Sequence, residues 1–407
     1  MKPAAEADDR GAPLAVFFAV GGVYVAQSII SGLTFTAFPA VLRERAVALD
    51  QIGLIYLAVL PWAIRFLWAP AIERYRLPAL GRNRSRVILF VGSLVSAAGL
   101  TLAGAVGVAA PFPLLLACFL IVAFAAATVD IVCDGYAVEA LRPQDYGWGN
   151  AAQVGGAYLG AALGSGLFLI LVARLDWALS TWAMAAAVLA LALPFLFGPP
   201  ARAAIVARPH RPALAPALQR PAVRRGLVLA VLYVAAQKWG LAMLPPFLVD
   251  SGVSLDVIGA INGIGGVAVG ILFAALGGAA VRRFGAGTVL VAGIVLQAAA
   301  LAVFALLAAT GVRSIAVLVA LALASSAAIL AFGFVALYAR FMRLSDPRQG
   351  GIDFSLFQCA DAATSMVGGL AAGALAQHFG HAAFFALAAS IACGALVAMR
   401  VLRLAAD

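Results

Sequence analysis

Apolar residues in this chain come in long unbroken runs, separated by short polar breaks. A helix needs about 20 predominantly apolar residues to cross a bilayer. Runs of about that length fall at 13–39, 52–72, 87–107, 112–138, 148–173, 177–197, 227–249, 256–280, 287–309, 314–339, 352–377 and 380–402. The pattern therefore predicts an all-α membrane protein of twelve transmembrane helices. The breaks hold the residues that end helices, as Pro78 and Gly81 do after the second run.

The basic residues check this count independently, because lysine and arginine stay in cytoplasmic loops. With the N-terminus inside, the cytoplasmic segments collect Lys2 and Arg10; Arg74, Arg76, Arg82, Arg84 and Arg86; Arg142; Arg202, Arg208, Arg211, Arg220, Arg224 and Arg225; Arg282 and Arg283; Arg340, Arg343 and Arg348; Arg400 and Arg403. The outer loops keep only Arg43, Arg45, Arg174 and Arg313, and Arg65 and Lys238 remain inside spans. One helix more or fewer would scramble the alternation, so both termini are expected in the cytoplasm. The longest polar segment, 199–226, is basic and rich in proline. It reads as a cytoplasmic linker, ordered to floppy, between six-helix halves at 1–198 and 227–407. The halves echo one another: Gly81-Arg82-Asn83-Arg84 has a counterpart in the basic turn Arg282-Arg283-Phe284-Gly285, and Arg142-Pro143-Gln144-Asp145 has one in Asp346-Pro347-Arg348-Gln349. Repeats of this kind mark carriers that rock two halves about a central site.

Composition narrows the classes further. With 65% apolar and 11% charged residues, no soluble domain of 407 residues fits. The net charge of +10 sits in short loops, so it speaks for topology and for contact with membrane lipids of negative charge. No basic stripe with interleaved aromatics appears, and no nucleic acid is expected as a partner. Cys118, Cys133, Cys359 and Cys393 lie in apolar runs without C-x-x-C spacing, and read as small buried residues. The first apolar run is too long for a signal-peptide core, so no cleavage is expected. No phosphate-binding G-x-x-x-x-G-K-[ST] loop exists, which argues against ATP-driven transport, and no cofactor is implied.

Charges at membrane depth carry the chemistry. Each costs roughly 2.5–3.5 kcal/mol at the centre of a lone span, so each needs a partner or a task. Arg65 and Asp130 fall at similar depth in the second and fourth runs, and Asp134 lies one turn beyond Asp130 on the same face. Lys238 and Asp361 are central in the seventh and eleventh. The expectation is two clusters, Arg65 with Asp130 and Lys238 with Asp361, serving either as internal salt bridges or as substrate and coupling sites. Asp130 and Asp361 are the candidates for proton coupling. Uncharged polar residues inside spans come next. Tyr24, Gln27 and Ser31 share one helical face, as do Tyr233 and Gln237; Tyr158, Asn262, Tyr338 and Gln358 stand alone. Glu73, Arg74, Arg82, Arg84 and Glu139 form a candidate cytoplasmic gate, in which Asp134 and Glu139 could meet arginines of the 74–86 turn. Glycines crowd the fifth run (Gly155, Gly156, Gly160, Gly164, Gly166) and the eighth (Gly263, Gly265, Gly266, Gly270), as ordinary close packing or as a moving interface between those two helices. Trp148 and Trp177 read as interfacial anchors. His378 and His381 fall in an outer turn with no cysteine or carboxylate near them in sequence, and no metal site is expected.

The run Phe66-Leu67-Trp68-Ala69-Pro70, then Glu73-Arg74-Tyr75 and Gly81-Arg82-Asn83-Arg84, resembles the turn between the second and third helices of major facilitator transporters, most closely their AmpG-like branch. Ala127-Thr128-Val129-Asp130-Ile131-Val132-Cys133-Asp134-Gly135-Tyr136 is similar to that branch's fourth helix. Asp353-Phe354-Ser355-Leu356-Phe357-Gln358 with Asp361 looks more like the RhtX/FptX-type siderophore transporters. Two positions depart: many relatives have Lys where Arg65 stands and Asp where Glu73 stands. The resemblance implies the major facilitator fold, with helices one, four, seven and ten lining a cavity, which favours Tyr24, Gln27, Tyr233 and Gln237 as substrate contacts. It implies a monomeric, proton-motive-force-driven carrier of the inner membrane, importing a siderophore-like small molecule by alternating access with protons as the coupling ion. Muropeptide uptake and drug or metabolite efflux are the alternatives. The spacing Asp130-x-x-x-Asp134 superficially resembles the aspartate-rich motif of membrane prenyltransferases. A second such loop is missing from the sequence, and an enzyme is not expected.

Overall fold

The computed structural model describes residues 12–45, 54–198, 206–207, 210–254, 257–258, 261–311 and 314–404. Lys2, Arg10, Arg202, Arg208 and Arg313 of the topology argument lie outside the described residues, as do the side chains of Arg43 and Asn262.

Continuous apolar runs become helices because lipid offers backbone amides no hydrogen-bond partner, so each span must satisfy its own. We label the spans α1 (Leu14–Leu42), α2 (54–76), α3 (Ser85–Val106), α4 (Phe112–Ala140), α5 (Pro143–Arg174), α6 (Trp177–Phe197), α7 (Pro221–Asp250), α8 (Gly263–Phe284), α9 (Ala286–Thr310) and α10 (Ile315–Leu344). The stretch Gly350–Val401 is helical on either side of Gly380, whose φ of +78° and ψ of 166° break it. Glycine is suited there because its missing Cβ removes the steric cost of positive φ. The portions 350–379 and 381–401 are α11 and α12. Ten helices among the described residues are long and apolar enough to cross a membrane by themselves. The irregular α2, whose apolar part is Leu57–Leu67, and the uncounted length of α11 make the arrangement consistent with twelve.

α2 is the least regular span. Tight turns at Leu54–Val59 and Arg65–Leu67 flank a short α-helical piece, Leu60–Ile64, before the helix resumes at Ala69–Arg76. Pro61 and Pro70 sit at the starts of the two α-helical pieces, where a missing amide hydrogen costs least.

The chain forms two compact units. Unit 1 comprises Met1–Asp145, Gly156–Ala215 and Ser345–Ser355; unit 2 comprises Tyr146–Gly155, Pro216–Leu344 and Leu356–Asp407. The first turns of α5 thus belong to unit 2, and those of α11 to unit 1.

In unit 1 the core is built on Phe38, Phe119, Phe168 and Trp177. Phe38 stacks on Phe119 at 4.3 Å between ring centroids. Trp177 is buried against Phe38 and Phe168 and donates its indole hydrogen to the Ala103 carbonyl at 2.8 Å. Trp177 is therefore a core residue and not the expected interfacial anchor; an aromatic with a satisfied polar edge packs well inside. Gly160 and Gly164 of α5 lie directly on the backbone of α1, where any Cβ would run into the Val25 and Ile29 carbonyls. These glycines serve the packing of α5 on α1. In unit 2, α5 meets α8 through Gly147, where a Cβ would lie 2.9 Å from the Gly278 carbonyl oxygen. Small residues buy such close approach, which in lipid is the main source of packing energy.

The linker up to Ala215, where described, is held on unit 1. Strand β2 (Val206–Ala207) pairs antiparallel with β1 (Leu80–Gly81) in the α2–α3 turn. Arg74 Nε donates to the Pro212 carbonyl at 2.7 Å, and His210 Nε2 lies 2.9 Å from Gln349 Oε1. These segments are docked, where the sequence leaves room for a floppy connection. Within unit 2 the core gathers Phe247, Phe304, Phe384 and Phe385.

Candidate functional site: two clusters of charge within the spans

In unit 1, α4 carries Asp130 and Asp134 one turn apart, so both point to one side. Arg65, in the tight turn of α2, reaches both. Its Nη1 is bonded to Asp130 Oδ2, and its Nη2 lies 3.4 Å from Asp134 Oδ2. From α1, the Tyr24 hydroxyl donates to Asp134 Oδ1 at 2.7 Å. The side chains of Arg65, Asp130 and Asp134 are 1%, 13% and 0% exposed. One guanidinium therefore serves two carboxylates, with a phenol satisfying one of the remaining acceptor sites. Gln27, one turn from Tyr24, is buried, and its Oε1 has no hydrogen-bond partner among the described residues.

In unit 2, Lys238 ends the first α-helical piece of α7, before the tight turn Gly240–Met243. Its Nζ lies 2.6 Å from Asp361 Oδ1 on α11. Tyr338 of α10 donates to Asp361 Oδ2 at 3.1 Å, and Ser365, one turn further along α11, donates to Oδ1 at 3.1 Å. The ammonium also sits 4.6 Å from the centroid of the Phe334 ring, a cation–π distance. The Lys238 side chain is 32% exposed and that of Asp361 only 8%.

The remaining candidates divide. Tyr233 and Gln237 are fully buried and bonded to each other, Gln237 Nε2 donating to the Tyr233 hydroxyl at 3.3 Å. That hydroxyl occupies the space left by Gly293 of α9 and Gly333 of α10, and Gln297 Nε2 donates to the Gln237 carbonyl at 3.4 Å. Both side chains are thus enclosed among α7, α9 and α10, with Gln237 Oε1 left without a hydrogen-bond partner among the described residues. Gln358 is half-buried in α11, three residues before Asp361. Tyr158 is half-buried in α5.

At the candidate gate, Glu139 meets an arginine of the 74–86 turn as expected: the fully buried Arg76, rather than Arg74, Arg82 or Arg84 of the candidate set, holds both Glu73 and Glu139. Arg76 grips Glu73 through Nε and Nη2 at 2.7 and 2.8 Å. It reaches Glu139 Oε2 and Ser85 Oγ through Nη1 at 3.0 and 3.3 Å. Asn83 Nδ2 adds a 3.1 Å bond to Glu139. The first turns of α11, which belong to this unit, complete the network: the Gly351 amide donates to Glu73 Oε1 at 3.2 Å. Arg74 goes to the linker, Arg84 lies over the Tyr75 ring at 4.8 Å, and Arg82 is exposed. Geometry explains the choice, because Arg76 sits one turn beyond Glu73 on the buried side of α2. Asp134 meets Arg65 and Tyr24, and no arginine of the turn.

Two participants escape sequence reading as members of this set, Phe334 and Ser365; Trp239, next to Lys238, donates its indole hydrogen to the Thr364 carbonyl at 2.8 Å. Ser365 lies four residues after Asp361 and was in principle detectable; a phenylalanine among so many apolar residues carries no signal. At the other end of unit 2, His381 Nε2 lies 2.8 Å from Asp250 Oδ2, a carboxylate 131 positions away that the sequence does not place near it. Among the described residues no group of three or more His, Cys, Asp or Glu is placed to hold a metal ion.

Comparison with known proteins agrees with this architecture. The family model for acetyl-coenzyme A transporter 1 matches residues 16–176. An uncharacterized protein of Haemophilus influenzae is 32% identical over 148 residues, covering 34% of this chain and 32% of that protein. The anhydromuropeptide permease of Escherichia coli K12 is 27% identical over 271 residues, covering 63% of this chain and 54% of the permease. The chain thus spans between a third and about half of the length of these curated relatives. Among solved structures, the major facilitator transporter FucP in its outward conformation superposes with a TM-score of 0.73 over 96% of this chain and 98% of that one, at 16% identity. A bacterial homologue of the iron transporter ferroportin, in an outward-facing state, gives 0.70 over 97% and 100%, also at 16% identity. The chain is a multi-pass membrane protein with the major facilitator fold.

Proposed function

We propose that this protein is a proton-driven inner-membrane importer of a carboxylate-bearing organic solute, working by alternating access, with sugar–peptide fragments of the muropeptide type as the first substrate class. The observation that carries the reading is the division of labour between the clusters. In unit 1 two buried carboxylates share one arginine, so the set has room for one proton before its charges balance. In unit 2 the cation is the accessible partner, lying on an aromatic face beside a tyrosine. A solute carboxylate can compete with Asp361 for Lys238 while apolar parts of the solute rest on Tyr338. Asp134, with Asp130, takes the proton-coupling role here, and Asp361 the role of the carboxylate displaced by substrate.

One relative and one family model support an anionic cargo. The Escherichia coli permease similar to 63% of this chain carries anhydromuropeptides, and the family model that matches residues 16–176 is that of an acetyl-coenzyme A transporter. Siderophore import is the second reading, favoured by the run Asp353 to Gln358. Most of that run is taken up by packing, however. Asp353 accepts from the Asp346 amide and from Gln349 Nε2 at 2.8 and 3.0 Å, and Phe354, Ser355, Leu356 and Phe357 are buried.

The test is uptake of labelled anhydromuropeptide into right-side-out vesicles holding the protein, with an imposed proton gradient. Accumulation that an uncoupler abolishes is the expected result. No accumulation of muropeptide, with uncoupler-sensitive uptake of a ferric siderophore, transfers the assignment to the second class. Uptake of either that ignores the uncoupler removes the proton from the mechanism.

A further inference from the structure

Neither cluster accounts for a second basic site in unit 2. At the end of α7, α10 and α12 that the arginine distribution assigns to the cytoplasm, a cavity of about 440 Å3 is lined by Arg225, Arg340 and Arg403 together with Leu229, Leu344 and Leu404. The volume falls in the range of roughly 300–1,000 Å3 typical of small-molecule sites. No aspartate or glutamate is among the described residues lining it. Three arginines, from α7, from α10 and from the turn that ends α12, line one hollow whose inner wall, Leu229 and Leu404, is buried and apolar.

The backbone adds an independent observation. Arg403 has a φ of +51° and is the one non-glycine residue with positive φ among the described residues. It ends α12 in a left-handed cap: the Leu404 amide donates to the Met399 carbonyl at 2.9 Å, and the Arg403 amide to the Arg400 carbonyl at 3.1 Å. Glycine is the usual occupant of such a position, because a Cβ there is strained. An arginine held in that conformation, with its side chain lining a basic cavity, is backbone strain located at a site. Immediately before it, Val401 and Leu402 are 74% and 52% exposed, apolar surface at the mouth of a charged hollow.

We infer that this cavity binds a phosphate-bearing anion. Planar guanidinium groups pair with phosphate oxygens through two donors at once, which a lysine cannot do. Two sources present that chemistry: the headgroup of an anionic membrane lipid, whose acyl chains would lie along Val401 and Leu402, and a soluble organic phosphate. Basic hollows between spans at the cytoplasmic surface are the usual form of headgroup sites. The inference does not depend on what the protein transports.

The probes are phosphatidylglycerol against phosphatidylcholine for the lipid, and glycerol 3-phosphate in lipid-free detergent for the soluble source. Thermal unfolding of the full chain is followed in nanodiscs of each lipid and in detergent with and without glycerol phosphate. The wild type is expected to unfold several degrees higher with phosphatidylglycerol, or with glycerol phosphate, and the responding arm assigns the source. Arg403→Gly relieves the backbone strain, so it should be at least as stable as wild type without ligand and yet lose most of the shift. Arg225→Gln should lose it too, while Arg283→Gln, outside the cavity, should keep it. Equal unfolding temperatures in both lipids and with or without glycerol phosphate overturn the proposal. So does a shift that survives in both Arg403→Gly and Arg225→Gln.

Discussion

Arg65 in unit 1 and Lys238 in unit 2 are both cations placed within membrane spans, yet their surroundings differ in three ways. Arg65 is 1% exposed and Lys238 is 32% exposed. Arg65 faces two carboxylates and Lys238 one. The hydroxyl beside Asp134 comes from a third helix and donates at 2.7 Å, whereas Asp361 receives two longer bonds, one from its own helix. A sealed cluster with surplus negative charge stores a proton well and meets a solute poorly. An accessible, balanced pair does the reverse: it costs little to open, and its cation is available to a ligand.

The largest predicted effect tests the seal. Arg65→Met leaves two buried carboxylates without their cation, at a cost on the order of 3–5 kcal/mol. Lys238→Met leaves one buried carboxylate that keeps its bonds from Tyr338 and Ser365, and should cost less, on the order of 1–3 kcal/mol. Thermal unfolding of the purified proteins in one detergent reads both, and a larger loss for Lys238→Met would break the comparison. Next in size is the coupling. Asp134→Asn removes the surplus carboxylate, so uphill accumulation should fall about tenfold, equivalent to about 1.4 kcal/mol of driving force, while substrate counterflow survives. Loss of counterflow together with accumulation would assign Asp134 to folding or substrate contact instead.

Charge exchange sharpens the reading of unit 2. Lys238→Asp and Asp361→Lys should each abolish uptake, and the double variant should recover a measurable part of it at equal membrane levels. A double variant as inactive as the singles argues that the position of the cation matters more than the pairing. The smallest expected difference lies in the two tyrosines. Tyr24→Phe removes a hydrogen bond to a fully buried carboxylate, worth about 1.5–3 kcal/mol, whereas Tyr338→Phe should cost about 0.5–1.5 kcal/mol because Lys238 and Ser365 still serve Asp361. Unfolding midpoints in a common detergent decide the order.

Much of the site was legible before the structure because the signal is energetic and local. A charge inside an apolar run is conspicuous, and Arg65, Asp130, Asp134, Lys238 and Asp361 stand out for that reason alone. The structure brings all five into the two clusters. Uncharged candidates were harder. Tyr233 and Gln237 share a face as expected, but both are buried and bonded to each other, with Gln297 of α9 on the Gln237 main-chain carbonyl, which periodicity along one helix does not reveal. At the gate, five arginines within 74–86 are equivalent in sequence, and only the broken geometry of α2 selects Arg76. His381 and Asp250 show the same limit from the other side, since a contact across 131 positions leaves no local trace.

Span length, the gathering of arginine in alternate loops and the presence of costly charges at membrane depth follow from the chain alone, because each depends on how a short segment meets lipid or water. Which arginine holds Glu73, how many carboxylates share Arg65, how open Lys238 remains and where three distant arginines gather were decided only by tertiary structure. Those outcomes depend on which helix faces meet and at what distance, and ion-pair energies change steeply with both separation and burial.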